Sequence, residues 1–389
     1  MIIINSSFMK YNKSDVLIIF ILAIVILARG VIQQNLVELT ILTIGVYYLF
    51  TDKIRYNNLV DKSTRLLYLL CFVVFTISLL VTNDISSLNI AYNFFLFLVF
   101  LSIFNSYNRA ELFVFFCGSI ISLICFIQIL HLFNIIDVTN FNMFYSREGF
   151  VRSQALIGNP NYSAYNSFVC FILLYFSRIK YKKIFLFFLA ISVLITISRG
   201  VIIALISFVL LMNLKLSKPT FVYVVFLFVG YISLVKYIPE DFVFTITERF
   251  NVFFDEGDSS GRSGIWQHGY VEWSKDLGFI ILGFGFNNFP NLVRISDLDL
   301  NVHNSFLRAL YELGVVGFIV VFSFFYNIIN QIKWEHTKEK YILIIALVIS
   351  WMTNDFFILK ETFFMIAILL MLSSKFKKHD WKKPFYQIQ

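Results

Sequence analysis

Apolar residues fall in twelve runs along the chain, near 16–28, 36–50, 66–82, 88–104, 111–136, 162–177, 184–198, 200–214, 220–238, 304–330, 341–353 and 356–372. Each predicts a membrane-crossing helix. Several are shorter than the ~20 residues that span ~30 Å of hydrocarbon, so flanking lysines must snorkel or neighbouring helices must shield the ends. The first run is followed by Arg29 and not by a small-residue cleavage site, which makes it an anchor rather than a cleavable leader. One position breaks the pattern: between Lys183 and Lys215 the only charge is Arg199, in "LITISRGVIIAL". A guanidinium at bilayer depth costs at least ~2.5 kcal/mol on insertion scales, so it needs a partner, an escape to water or a task.

The charges between the runs decide where Arg199 goes. With the N-terminus in the cytoplasm and all twelve runs crossing, most of the 32 basic residues fall in cytoplasmic segments, including Lys180, Lys182, Lys183, Lys215 and Lys218, as the positive-inside rule requires. One long helix over 184–214 would put the lysines at its two ends on opposite faces of the membrane. Two helices with Arg199 at the outer tip keep them together. The same partition separates residue types. The inner set is mostly lysine, while the outer set is Arg29, Arg147, Arg152, Arg199, Arg249, Arg262, Arg294 and Arg308, with only Lys236, Lys275 and Lys360. A point charge suffices to hold a loop in the cytoplasm, whereas a rigid five-donor fork grips phosphate or carboxylate oxygens two at a time. For any single outer arginine, pairing with loop carboxylates is an equal alternative.

Composition agrees with the pattern. Of 389 residues 59% are hydrophobic, 48 are Phe and only 14% are charged, with a mean hydropathy of +0.78. The chain therefore reads as an all-α polytopic membrane protein of about 12 transmembrane helices, a single integral membrane domain over 1–389. Its net charge of +8 is scattered between apolar runs rather than clustered, which argues against a nucleic-acid partner and leaves the lipid bilayer as the surface those charges meet. Cys71, Cys117, Cys125 and Cys170 lie inside apolar runs without CxxC spacing and read as small buried hydrophobes. Asp255, Glu256 and Asp258 lack the spacing of a calcium loop, so neither metal nor cofactor is expected.

One large extracytoplasmic element, 239–302, separates the ninth and tenth runs. Inside it Ser260 is a candidate N-cap for a helix whose stripe Ile265, Trp266, Tyr270, Trp273 and Leu277 suits the membrane interface. "GFGFNNFPN" follows, turn-forming but without the strand and GK[ST] of a nucleotide loop. Three constellations carry candidate chemistry. In "VHNSFLRALYELGVVGF", His303 stands where the loop becomes a helix, and an imidazole, with an ordinary pKa of about 6.5, suits a general base near neutral pH. Asn304 adjoins it, and Arg308 and Glu312 follow four residues apart, either as substrate ligands or as a pair that only neutralises itself. In "REGFVRSQALIGNPNYSA", Asn159 and Pro160 start a helix by cap and first-position proline. Asn159 and Asn161, with Arg147 and Arg152 before them, are also candidate substrate ligands. Arg262 stands at the start of the interfacial helix, where amides and a guanidinium together suit phosphate, unless it pairs with Asp255, Glu256 or Asp258.

Arginines and one histidine at a membrane surface fit a substrate with an anionic headgroup on a lipid tail, a lipid diphosphate above all. If that diphosphate carries a sugar, a base for the attacking hydroxyl and cations for the departing pyrophosphate suffice. At these residues the sequence resembles the O-antigen ligase and O-antigen polymerase superfamily of bacterial envelopes. "SRG" at 198–200, "GNPNYSA" at 158–164, "GRSGIW" at 261–266, "GFGFNNF" at 283–289 and "HNSFLRALYELGVVG" at 303–317 occur in the expected order, over roughly 140–330. The resemblance implies a GT-C-like, metal-independent membrane glycosyltransferase that takes an undecaprenyl-diphosphate-linked glycan donor and a glycan acceptor and inverts the anomeric centre. It assigns the diphosphate to Arg199 and Arg262 and activation of the acceptor hydroxyl to His303. It places the chain in the bacterial inner membrane with its active site facing outward, and makes a chain-length regulator a candidate partner.

Within that superfamily a polymerase, joining one lipid-linked repeat unit to another, is favoured over a ligase that hands the glycan to lipid A-core or a protein, because this short chain has no appended outward domain for a protein acceptor. From another class, the rival is a transporter or flippase of lipid-linked sugars. That would place charges near the midplane and show two matching halves, and neither is evident in the sequence.

Overall fold

The computed structural model describes residues 12–28, 30–51, 60–82, 88–138, 143–147, 150–155, 157–213, 262–289, 302–334, 336–354, 356 and 359–374. Every apolar run of the sequence coincides with a helix except 220–238, which lies outside the described residues, as does most of the element at 239–302. In chain order the helices are α1 (Lys13–Leu27), α2 (Gln34–Thr51), α3 (Lys62–Thr82), α4 (Leu88–Ile103), α5 (Tyr107–Leu132), α6 (Pro160–Phe176), α7 (Lys182–Ile195), α8 (Arg199–Asn213), α9 (Arg262–Ser274), α10 (Leu277–Leu282), α11 (Ser305–Gln331), α12 (Thr337–Thr353) and α13 (Lys360–Ser374). Three stretches, Lys62–Leu80, Tyr107–Leu132 and Ser305–Gln331, are long and apolar enough by themselves to cross a membrane, and α4 and α8 hold shorter apolar helices.

The fold is not purely helical, contrary to the sequence pattern. β1 (Phe144–Arg147) and β2 (Phe150–Ser153) pair antiparallel, with Phe144 opposite Ser153 and Arg147 opposite Phe150. Two residues, one of them Gly149, separate the strands in the sequence. A hydropathy reading passes over so short an element.

Phenylalanine supplies the interior. Phe94 meets Phe363 edge-on at 4.8 Å and Phe324 at 5.6 Å, and Phe97 meets Phe324 at 5.7 Å. The Tyr68 hydroxyl donates to the Phe94 carbonyl at 2.8 Å, so α3, α4, α11 and α13 share one aromatic seam. Lipid is as apolar as these rings, so tight ring packing and buried hydrogen bonds, rather than escape from water, hold such helices together.

Helix ends are tied by polar groups. Tyr48, late in α2, donates to Asp15 of α1 at 2.7 Å; Asp15 also pairs with Arg109 of α5 at 3.4 Å, and that guanidinium lies 3.9 Å over the Tyr48 ring. Gln331, closing α11, accepts from the Asp61 N–H at 3.0 Å and bonds Thr64 at the start of α3. At their other ends, α2, α4, α6, α11 and α13 surround one cavity. Its wall includes Arg308 and Lys360, while α1, α3 and α7 begin at Lys13, Lys62 and Lys182.

Candidate functional site

The run 184–214 is two helices, as the lysine parity expects. α7 stops at Ile195 and α8 starts at Arg199, with Thr196–Ser198 between them. Thr196 Oγ1 accepts from the Ser198 N–H at 3.3 Å, and the Ser198 carbonyl takes the first bond of α8, from Ile202 at 2.9 Å. Ile197 holds φ of 53°, a left-handed conformation that a β-branched residue adopts only under strain, the kind stored at functional sites. Gly200 lies so close to Thr353 that no Cβ fits there. Arg199 is thus presented half-buried at a rigid tip pressed against the end of α12.

Arg152 braces that tip. It is 7% exposed, and its Nε donates to the Thr196 carbonyl at 2.9 Å while a terminal nitrogen donates to Asn161 Oδ1 at 2.9 Å. Asn159 caps α6, accepting from the N–H groups of Asn161 at 2.9 Å and Tyr162 at 3.3 Å, with Pro160 in the first turn. Arg152 and Asn161 therefore act here as positioning residues between β2, the tip and α6. The backbone of Arg147 lies in β1; its side chain is outside the described residues.

Two glycine-rich motifs turn out to be one joint. α11 is broken at Gly314, whose φ of 65° and ψ of −177° are open essentially to glycine alone. The break frees the carbonyls of Tyr311 and Glu312, and the chain at 283–285 supplies their partners: the Phe284 N–H donates to Tyr311 at 2.8 Å and the Gly285 N–H to Glu312 at 2.9 Å. Gly283, with φ of 80° and ψ of 178°, faces Gly314 so closely that a methyl on either would overlap the other's backbone. The Phe286 N–H donates to Ser78 of α3 at 2.6 Å, and Asn287 accepts from Arg308 at 3.2 Å.

Above the joint, Ile265, Phe284, Phe289, Val302 and Tyr311 form a second apolar cluster. The stripe read from the sequence needs correction. Asp276 caps a separate helix, accepting from the Gly278 N–H at 2.6 Å, and Tyr270 and Leu277 are exposed. The packed face of α9 is Ile265, Gly269 and Trp273, because only glycine at 269 lets α9 approach Phe289 and Tyr311. Ser260 lies outside the described residues, and Arg262 opens α9 with its side chain likewise undescribed.

His303 precedes α11 in a left-handed conformation, φ 50°. Asn304 follows it as the cap, 6% exposed, its Oδ1 accepting from Phe306 at 3.0 Å and Leu307 at 3.1 Å. One turn in, Arg308 Nε pairs with Glu312 at 3.0 Å, side chains 10% and 1% exposed, over the Phe286 ring at 4.8 Å. The ion pair is real, and Arg308 still lines the cavity. Short contacts draw the starts of three helices together. Ser305 Oγ donates to the Asn354 carbonyl at 2.6 Å, Thr353 beside it abuts Gly200, and Trp266 Nε1 donates to the Val302 carbonyl at 2.8 Å. The segments carrying Arg199 and His303, 104 residues apart in the sequence, so meet at the end of α12, and the helix that Arg262 opens joins them through Val302.

Residues 184–322 match the family model described as O-antigen ligase. This match supports membership of the O-antigen ligase and polymerase superfamily. The apolar helices and this match together point to a helical membrane protein. Comparison with curated proteins finds no match. The matched segment contains Arg199, Arg262, His303, Arg308 and Glu312, and leaves Arg147, Arg152, Asn159 and Asn161 outside it.

One feature beyond the matched segment escaped the sequence pattern. Between α12 and α13 the described residues Asn354 and Phe356 are buried in the bundle. Phe356, fully buried, stacks on Tyr165 at 4.3 Å, and the Tyr165 hydroxyl bonds Thr362 at 2.7 Å and accepts from Trp351 Nε1 at 3.2 Å. Lys360 and Glu361 are carried inward with it, 6% and 0% exposed, and Asn166 donates to Glu361 at 3.3 Å. Connections normally run over the surface; in membrane proteins irregular backbone at depth belongs where it lines a cavity. The signal was present in "NDFFILKET", where charge and amide interrupt an apolar run.

Proposed function

We propose that the protein polymerises glycans at the outer face of the bacterial inner membrane. It transfers a glycan from undecaprenyl diphosphate to a sugar hydroxyl of a second lipid-linked repeat unit. The convergence of the helix starts bearing Arg199, Arg262 and His303, inside the segment matched to the O-antigen ligase family, carries the reading. His303 takes the proton of the acceptor hydroxyl as its oxygen attacks the anomeric carbon from the face opposite the phosphate. The bond from that carbon to the phosphate oxygen breaks, and the lipid diphosphate leaves with the electron pair, its charge met by the guanidinium groups of Arg199 and Arg262. The anomeric centre inverts, and the proton passes from imidazole to water. Lysine at the opposite ends of α1, α3 and α7 supports a cytoplasmic position for those ends, and hence for both termini, by the positive-inside rule. A twelve-span GT-C-like layout, with 220–238 as the ninth span and 239–302 as the outer loop, completes the proposal.

The test is turnover by purified protein in nanodiscs, with an undecaprenyl-diphosphate-linked repeat unit as both donor and acceptor. Release of undecaprenyl diphosphate with lengthening of the lipid-linked glycan is expected. Transfer only when lipid A-core is supplied would make it a ligase, and movement of intact lipid-linked sugar across vesicles with no new glycosidic bond would make it a flippase. Arg199→Lys keeps the charge but loses the two-pronged fork, and charge-assisted hydrogen bonds are worth roughly 1.5–3 kcal/mol. Turnover is therefore expected to drop about 10- to 100-fold. Wild-type turnover in that variant would leave Arg199 a role in topology alone.

A further inference from the structure

The cavity among the helix starts is chemically unlike an anion site. It encloses about 450 Å³, within the ~300–1,000 Å³ of small-molecule sites. Glu38 on α2 contributes a carboxylate to its wall, held by Gln34 Nε2 at 2.9 Å. Arg308 is already matched by Glu312 and Asn287, and the charge of Lys360 is offset by Glu38, so the described lining offers no surplus of positive charge to a phosphate. Among the described residues the wall does not include Arg199. It does hold a carboxylate, the carboxamides of Asn93 and Asn287 and the hydroxyl of Tyr92, mixed donors and acceptors of the kind that meet adjacent hydroxyls on a ring, with the Phe286 ring alongside.

The Tyr92 hydroxyl takes this furthest. It is buried and makes no hydrogen bond among the described residues, a condition that folded proteins avoid unless water or a ligand completes it. Location adds a second argument. Arg308, on the cavity wall, lies one turn into the helix that His303 precedes, so wall and candidate base are carried by the same helix start. Glu38, Tyr92, Asn93 and Lys360 all lie outside residues 184–322, whereas His303, Arg199 and Arg262 lie within them. Groups common to the reaction occupy the family-matched segment; groups that recognise one particular glycan need not.

We propose that this cavity is the acceptor-sugar subsite. It takes a neutral pyranose, and Glu38, Tyr92 and Asn93 hold its hydroxyls so that one of them reaches His303. The assignment deepens the glycan-transfer reading and rests on it.

Saturation-transfer NMR on the protein in nanodiscs tests the subsite without turnover, using methyl glycosides of glucose, galactose, N-acetylglucosamine and glucuronic acid as probes. At least one neutral glycoside is expected to bind. Its signal should fall threefold or more in Tyr92→Phe and in Glu38→Gln, while inorganic pyrophosphate fails to displace it. With the lipid-linked repeat unit as donor and a separate soluble glycoside of the repeat unit as acceptor, the same variants should raise acceptor KM about tenfold and leave kcat and donor KM within about twofold. Thermal midpoints equal to wild type establish that the variants are folded; should Glu38→Gln fail to fold, Tyr92→Phe, which removes one oxygen, decides alone. The subsite is overturned if no neutral glycoside binds, if the glucuronide binds best, if pyrophosphate competes, or if both substitutions leave the signal intact. A rise in donor KM instead of acceptor KM would overturn the acceptor assignment. Wild-type protein that binds the glycoside but transfers no glycan would overturn the catalytic reading and leave the sugar site standing.

Discussion

Gly314→Ala and Gly283→Ala proteins are expected to fail to accumulate as folded species, seen as loss of the monodisperse peak in detergent size-exclusion chromatography and of the thermal transition. Two penalties act at once. The backbone at both positions lies at positive φ with ψ near 180°, where a Cβ costs about 1–3 kcal/mol. The added methyl would also overlap backbone of the opposite segment, the Ile281 carbonyl from Gly314 and the Glu312 carbonyl from Gly283. Backbone held by hydrogen bonds on both sides cannot rotate away as a side chain can. Relief would require breaking the bonds from Phe284 and Gly285 to Tyr311 and Glu312, leaving buried carbonyls unpaired at roughly 1–3 kcal/mol each. The sum, roughly 3–9 kcal/mol, reaches the ~4 kcal/mol that marks an exceptional single substitution. Gly264→Ala is the matched control. Among the described residues nothing lies within 4 Å of its Cβ, and alanine in a helix is favoured by ~1 kcal/mol, so a thermal midpoint at or above wild type is expected. Equal behaviour of all three variants would mean that the joint is absent.

His303→Asn is expected to abolish most turnover while leaving the protein folded. General base catalysis contributes typically ~10²–10⁴-fold, so kcat should fall by about that factor with little change in KM for either substrate. Asparagine is the informative replacement because His303 sits at φ 50°, and asparagine tolerates the left-handed region as histidine does. The variant keeps the entry into α11 and its Asn304 cap but has no group that accepts the proton. His303→Ala adds strain to the same chemical loss and should lower the thermal midpoint as well. Substantial turnover in His303→Asn, with an unchanged midpoint, would remove His303 from the role of base.

What could be read from the sequence follows the range of the forces involved. The break before Arg199 was legible because lysine parity acts over whole segments, and the Asn159 cap because a cap acts within three residues. His303 was legible from its place at a helix start. The brace from Arg152 to Thr196 was not, since nothing local marks a contact 44 residues away. Gly314 was hidden for another reason: a glycine in an apolar run leaves hydropathy almost unchanged while the backbone departs entirely from the helix. Tyr270 and Leu277 were read as one stripe with Trp273 because the period was counted through Asp276, whose cap restarts it. Lys360 was noticed as an outer cation, yet its burial depends on Phe356 stacking on Tyr165, a contact across the bundle.

The glycine joint also sets a direction for assembly. Ribosomes deliver a chain N-terminus first, so the backbone at 283–285 has been made before α11 leaves the translocon. The carbonyls exposed by the break in α11 then find their donors already waiting, and need not be presented bare to hydrocarbon, where each unsatisfied group costs several kcal/mol. A broken helix that would be hazardous as a newcomer is safe as a latecomer.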